Sequence, residues 1–125
     1  MKTTLEKIHH QDIDWLRELD FYNEELTILS RRLEEVVAKN TIKQLLGYVE
    51  HFHNMFIMFK EQIDVLKHDI NLREAEIESV VKQKPEHIGE KMYSISISLL
   101  ERCNDLACGL AATRLEFNQF LSKVL

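Results

Sequence analysis

Two pairs of side chains have the spacing of a known metal-binding motif. Glu6 precedes His9 by three residues, and Glu50 precedes His53 by the same interval. On a helix this spacing places the carboxylate and the imidazole on one face. Ferritin-like bundles bring two such pairs together around two iron atoms and add a carboxylate from each of two further helices. The motif therefore predicts a di-iron site only if the fold brings both pairs together.

Two other histidines invite comparison with hemerythrin-like bundles, in which several inward histidines and carboxylates bind the metal. His10 lies four residues before Asp14, and His68 is expected at a similar height in the fold derived below. In the heptad pattern, however, both histidines occupy f positions, which point to solvent. We therefore interpret them as surface residues, and we expect no cofactor.

The two cysteines and the hydroxyl residues do not form a recognisable nucleophile site. Cys103 and Cys108 are five residues apart, which on a helix separates them by about 140°, so they cannot form a disulfide with each other. We expect two reduced thiols, with Cys103 in the core and Cys108 nearer the surface. No serine or cysteine lies in a nucleophile elbow, and the sequence has no glycine-rich phosphate loop. We do not expect an enzyme.

The scarcity of helix breakers limits the architecture that must position these residues. The chain of 125 residues contains one proline, Pro85, and three glycines, Gly47, Gly89 and Gly109. A β-sandwich or a doubly wound sheet would need many more turns than these residues allow. The length suits one domain over residues 1–125. The composition therefore predicts an all-α fold.

Heptad spacing predicts three helices, at about residues 4–39, 42–83 and 86–124. The a and d positions of the first helix include Leu5, Ile8, Asp12, Trp15, Leu19, Tyr22, Leu26, Leu29, Leu33 and Val36. Those of the second are Ile42, Leu45, Val49, Phe52, Phe56, Phe59, Ile63, Leu66, Ile70, Arg73, Ile77 and Val80. Arg73 is the polar exception in the second series, and we expect its long stem to carry the guanidinium to water.

The third helix has the same periodicity with one irregular step. Its a and d positions are Ile88, Met92, Ile95 and Leu99, followed after an extra step of four by Cys103, Leu106, Leu110, Thr113, Phe117, Phe120 and Val124. A step of this kind is a stutter, which locally unwinds a supercoil. Lys84-Pro85 predicts the turn before this helix.

The turns predict how the helices are paired. With a tight turn at Asn40-Thr41, the fold is an elongated antiparallel three-helix bundle, similar to a coiled coil. A continuous helix through Thr41 is the alternative. In the antiparallel fold Phe59 faces the small residues around Leu110, as interdigitating layers require. His9 then lies about 30 Å from His53 along the bundle, which argues against a di-iron site.

Five apolar residues fall on outer positions of the predicted helices. Phe21 and Ile28 occupy c positions of the first helix, and Met58, Val65 and Leu72 occupy successive c positions of the second. The c position points about 130° away from the a/d seam. A neighbouring helix of the bundle could cover part of this surface, and a homodimer or a partner helix could cover the rest. We therefore predict a protein contact at these residues.

Charge and hydropathy argue against nucleic acid and membranes as partners. The 16 basic and 21 acidic residues give a net charge of −5 and alternate along the chain, so no basic surface is expected. The longest apolar run, Met55 to Phe59, is far shorter than the ~20 residues of a membrane-spanning helix. Residues 1–7 lack the apolar core of a secretory signal. We expect a cytoplasmic protein.

Two segments resemble a known group of proteins. Residues 15–22, Trp-Leu-Arg-Glu-Leu-Asp-Phe-Tyr, and residues 116–121, Glu-Phe-Asn-Gln-Phe-Leu, resemble uncharacterised small helical proteins of Bacteroidota. The resemblance implies a bacterial cytoplasmic protein and brings no site residues with it. From the sequence we predict a non-enzymatic helical interaction or scaffold protein. The alternative is a helical bundle that binds a metal or a small apolar ligand in its core.

Overall fold

Three long α-helices make up almost all of the computed structural model, which describes residues 4–39, 43–81 and 89–125. Helix α1 spans Thr4–Lys39, α2 spans Leu46–Val81 and α3 spans Gly89–Val124. Each has 36 residues and is therefore about 54 Å long. The described residues contain no strand. The predicted all-α three-helix bundle is confirmed.

The described helix bounds agree with the sequence pattern except at the start of the second helix, and the predicted helical residues 82–83 and 86–88 lie outside the described residues. The first helix begins and ends where it was predicted. The second was expected from about residue 42, but Lys43–Leu45 form a short 3-10 helix and α2 begins at Leu46, because the first turn of a helix often winds more tightly. The turns predicted at Asn40-Thr41 and Lys84-Pro85 lie outside the described residues.

Cross-helix side-chain contacts establish that α1 and α2 run in opposite directions. His9, near the start of α1, pairs with Glu74 late in α2, with 2.6 Å between Nδ1 and Oε2. Asp20, farther along α1, pairs with Lys67, earlier in α2, at the same distance. As the residue numbers rise in α1 they fall in α2, as an antiparallel pair requires.

Side-chain contacts between α2 and α3 show the same relation. His51 near the start of α2 pairs with Glu116 late in α3. Asp69 pairs with Arg102, which lies earlier in α3. Helix α3 is therefore antiparallel to α2 and parallel to α1, and the three helices form an up-down-up bundle.

Aromatic residues near the start of α2 and near the end of α3 form a cluster in the core. The rings of Phe52 and Phe56 contact that of Phe117 edge-on, with centroids 5.0 and 5.2 Å away. Phe59 is also buried, and a Cβ added to Gly109 would lie only 3.1 Å from the Phe59 ring. The predicted burial of Phe56 and Phe59, and the small residues opposite Phe59, are thus confirmed.

The buried residues of α3 confirm its irregular step and add one position. Leu99 and Cys103, on either side of the extra four-residue step, are both buried. Leu121 is buried as well, although it lies outside the a and d series. Since α3 packs against both α1 and α2, it must bury a wider face than a two-stranded seam requires.

Candidate protein interface

Three apolar side chains of α2 form an exposed stripe along the bundle. Met58, Val65 and Leu72 have 39%, 53% and 52% of their surface exposed. Their seven-residue spacing places neighbouring members about 10 Å apart on one helix face. The sequence left open whether another helix covers them within the monomer, and the exposed fractions show that none does fully. We call these three residues the α2 stripe.

The two apolar residues predicted on α1 are exposed too, but at another place on the bundle. Phe21 and Ile28 are both more than half exposed. They share a flank of α1 with Glu25, whose carboxylate pairs with Arg114 of α3. That flank therefore borders α3 on the side opposite the α2 stripe. The structure does not bring the two predicted apolar groups into one surface.

The α2 stripe borders a groove between α2 and α3. The larger part of the groove has a volume of about 760 Å³ and is lined by Met58 and Val65. Its floor is formed by the buried side chains Phe59, Leu66 and Leu106, and its α3 wall includes Gly109 and Ala112. A smaller part beside Leu72 meets the larger one at Arg102, which lines both. We call the two parts together the α2–α3 groove.

The rim of the α2–α3 groove carries an excess of negative charge. Four carboxylates line it, those of Glu61, Asp69, Glu76 and Asp105. Arg102 is the surface cation among the described lining residues, and it is paired with Asp69 at 2.8 Å. Arg73 also lines the groove, but its guanidinium is buried and bound to Asp12. The α2–α3 groove therefore combines an apolar floor with an acidic rim.

The fold does not assemble the histidine motifs into a metal site. His9 pairs with Glu74 at one part of the bundle, whereas His53 lines a second groove, between α1 and α2. His10 and His68 are exposed, as predicted. Within the described ranges no three histidine, cysteine, aspartate or glutamate side chains are grouped closely enough to hold a metal ion.

A buried ion pair between α1 and α2 corrects the prediction made for Arg73. The guanidinium does not reach water: Arg73 is 2% exposed and Asp12 is 0% exposed. Arg73 Nε donates a hydrogen bond to Asp12 Oδ2 at 3.1 Å, and Nη2 donates to Oδ1. Nη1 donates to Ser96 of α3, and the guanidinium lies 5.6 Å from the Trp15 ring. The facing helix supplies a carboxylate, so the charge can be buried as a pair.

Burial also changes the proton affinity of two groups in this region. The pKa of Asp12 is raised from 3.8 to about 6: burial is the largest cause and Glu74 adds to it, whereas Arg73 opposes the change. Burial raises the pKa of the Cys103 thiol to about 11. Cys103 is buried and Cys108 exposed, and both are free, as predicted. A thiol with a raised pKa is a poor nucleophile at neutral pH, so Cys103 is a core residue.

The raised pKa of Asp12 predicts a pH dependence of stability. Because the folded chain binds this proton more tightly than the unfolded chain, the contribution of Asp12 is fully present below about pH 4 and is lost as the pH rises through about 6. The Asp12→Asn variant lacks this titration. We therefore expect the free energy of unfolding of the wild type, relative to that of the variant, to fall between about pH 4 and about pH 7. Urea denaturation measures it, and a rise over this range would contradict the assignment.

Comparison with other proteins does not add a family to these observations. No protein-family model matches the chain, and no curated protein or solved structure is significantly similar to it. None of the described helices has the length and apolar character needed to cross a membrane.

Proposed function

We propose that this chain is a non-enzymatic helical interaction or scaffold protein that binds another protein through the outer faces of its helices. The observation that carries the proposal is the α2 stripe, Met58, Val65 and Leu72, exposed at successive heptads. Single exposed apolar residues are normal on protein surfaces, whereas several that border one apolar groove are typical of a binding site. Phe21 and Ile28 offer a second, separate contact.

The surroundings proposed for the protein follow from its charge and its sequence resemblance. The resemblance to small helical proteins of Bacteroidota supports a place in the bacterial cytoplasm. The net charge of −5 disfavours nucleic acid as a partner, because like charges repel. The mixed polar and apolar character of the helices disfavours membrane insertion.

A second candidate function is the binding of a small apolar ligand. The α2–α3 groove favours it, because its volume of about 760 Å³ lies in the range of small-molecule sites. An exposed seven-residue repeat along a helix, however, matches the side chains of another helix better than it matches one compact ligand. The protein contact is therefore the first proposal.

The proposal is tested by the Val65→Glu variant. Since Val65 is more than half exposed, we expect the free energy of unfolding to fall by less than about 1 kcal/mol, including repulsion from Glu61 and Asp69 one turn away. A homodimer should dissociate into folded monomers, as measured by light scattering. If the wild type is a monomer, affinity capture from the source cells should lose a protein that the wild type retains.

A matched control is Leu115→Glu, which places the same charge on an exposed apolar position of α3 outside the α2–α3 groove. It should behave as the wild type in both measurements. If Val65→Glu retains every partner of the wild type, and the wild type is a monomer, the α2 stripe is not a contact surface.

A further inference from the structure

We infer that the α2–α3 groove binds an amphipathic helix of a partner protein whose apolar residues are flanked by lysines or arginines. The inference rests on the proposed function and names the chemistry of the partner. It follows from three features of the groove: its apolar repeat, its small α3 wall and its acidic rim.

The repeat along the groove indicates a helical occupant. The members of the α2 stripe lie at seven-residue intervals, so a helix lying along α2 can place one apolar side chain beside each of them at the same interval. A peptide in β-strand conformation would need an exposed strand edge for its backbone hydrogen bonds. The two walls of the groove are α-helices, whose interior backbone groups are already paired.

The α3 wall leaves room for such a helix. Gly109 and Ala112 both line the groove. The missing side chain of Gly109 lets the Phe59 ring pack against α3, and Ala112 has no side chain beyond Cβ to fill the groove. A fourth helix can therefore approach the floor closely at this level. Close approach allows its side chains to pack between those of α2 and α3.

The rim selects the charge of the occupant. The carboxylates of Glu61, Glu76 and Asp105 have no cation opposite them in the described lining of the groove, since Arg102 pairs with Asp69. Lysines or arginines beside the apolar residues of a docked helix would meet these carboxylates. A second copy of the chain, with its net charge of −5, would instead bring an excess of negative charge to the rim.

The experiment uses synthetic helical peptides of about three heptads, with leucine at the a and d positions and lysine, glutamine or glutamate at the flanking positions. Fluorescence anisotropy measures their binding to the full chain. We expect the lysine peptide to bind most tightly and the glutamate peptide least. A lysine peptide with a central proline, which breaks the helix, should bind at least about tenfold more weakly than the same peptide without proline.

Protein variants separate the apolar contribution from the charge contribution. Val65→Ser removes part of the α2 stripe without adding charge and should lower the affinity for the lysine peptide about tenfold. The double variant Glu61→Gln, Asp105→Asn should lower the affinity for the lysine peptide about fivefold and leave the affinity for the glutamine peptide unchanged. Leu115→Ser, an exposed position outside the groove, is the control and should have no effect.

Two results overturn the inference. One is that the lysine peptide fails to bind, or binds the Val65→Ser and wild-type chains equally. The other is that the wild type alone forms a dimer that Val65→Ser dissociates, since the occupant is then a second copy. The second result would still support the proposed function, because a homodimer is also a protein contact. After the first result, the affinity capture with Val65→Glu would decide whether the proposed function holds. The two proposals can therefore be refuted independently.

Discussion

Replacing Arg73 by methionine is expected to lower the free energy of unfolding by about 3–5 kcal/mol. Methionine keeps much of the volume of the side chain but leaves the Asp12 carboxylate, 0% exposed, without its cation. The variant also loses the hydrogen bond to Ser96 and the contact with the Trp15 ring. Urea denaturation at about pH 7 measures the effect.

Two further variants identify the buried charge as the cause. Adding Asp12→Leu to Arg73→Met removes the unpaired carboxylate and should restore most of the lost stability, because an apolar pair is often as stable as a buried ion pair. Lys67→Ala breaks an exposed pair with Asp20 and should cost less than about 1 kcal/mol. A double variant as unstable as Arg73→Met would mean that packing, and not the charge, is responsible.

The second large effect is expected in the aromatic core. Phe56→Ala should lower the free energy of unfolding by about 3–5 kcal/mol, because it removes a buried ring and leaves a cavity. The ring contacts both Phe52 and Phe117, so the loss extends to α3. Thermal or urea denaturation measures it.

The matched control for this substitution is Phe21→Ala. It removes the same ring from a position that is more than half exposed, so the change should stay within about 0.5 kcal/mol. A loss below about 1 kcal/mol for Phe56→Ala would mean that the helix seam is assigned wrongly.

The sequence predicts the helices and the core well because both depend on local periodicity. A residue such as Phe56 is recognised as buried from its place in the heptad pattern. The heptad pattern likewise places Val65 at a c position that points away from the seam, although it left open whether a third helix covers that position. These properties need only the handedness and pitch of a helix, which every α-helix shares.

The prediction that the Arg73 guanidinium reaches water is wrong, because its burial depends on a carboxylate from the facing helix. An arginine at a core position reaches water unless a carboxylate lies within range. The register predicted from the Asn40-Thr41 turn places Asp12 level with Asp69, one helical turn from Arg73. Asp12 and Arg73 are both polar residues in the a and d series of two facing helices. Their similar height therefore already indicated the buried ion pair.

The relative positions of the exposed apolar residues on α1 and α2 depend on where α3 packs, which the heptad pattern does not give. Phe21 and Val65 occupy equivalent heptad positions, yet α3 lies between them because it packs on both of their helices. The α2–α3 groove likewise depends on the spacing of two helices and on the small side chains of α3. Heptad positions describe each helix by itself and carry no information about that spacing.

The most direct test of the protein contact is photo-crosslinking in the source cells, with a photoreactive amino acid at Val65 and, in a separate chain, at Leu115. Both positions are more than half exposed, so general collisions should label them equally. If the α2 stripe is a contact surface, position 65 should give a discrete crosslinked protein that position 115 does not give. Equal products at both positions, or none at position 65, would contradict the assignment of this face to protein binding.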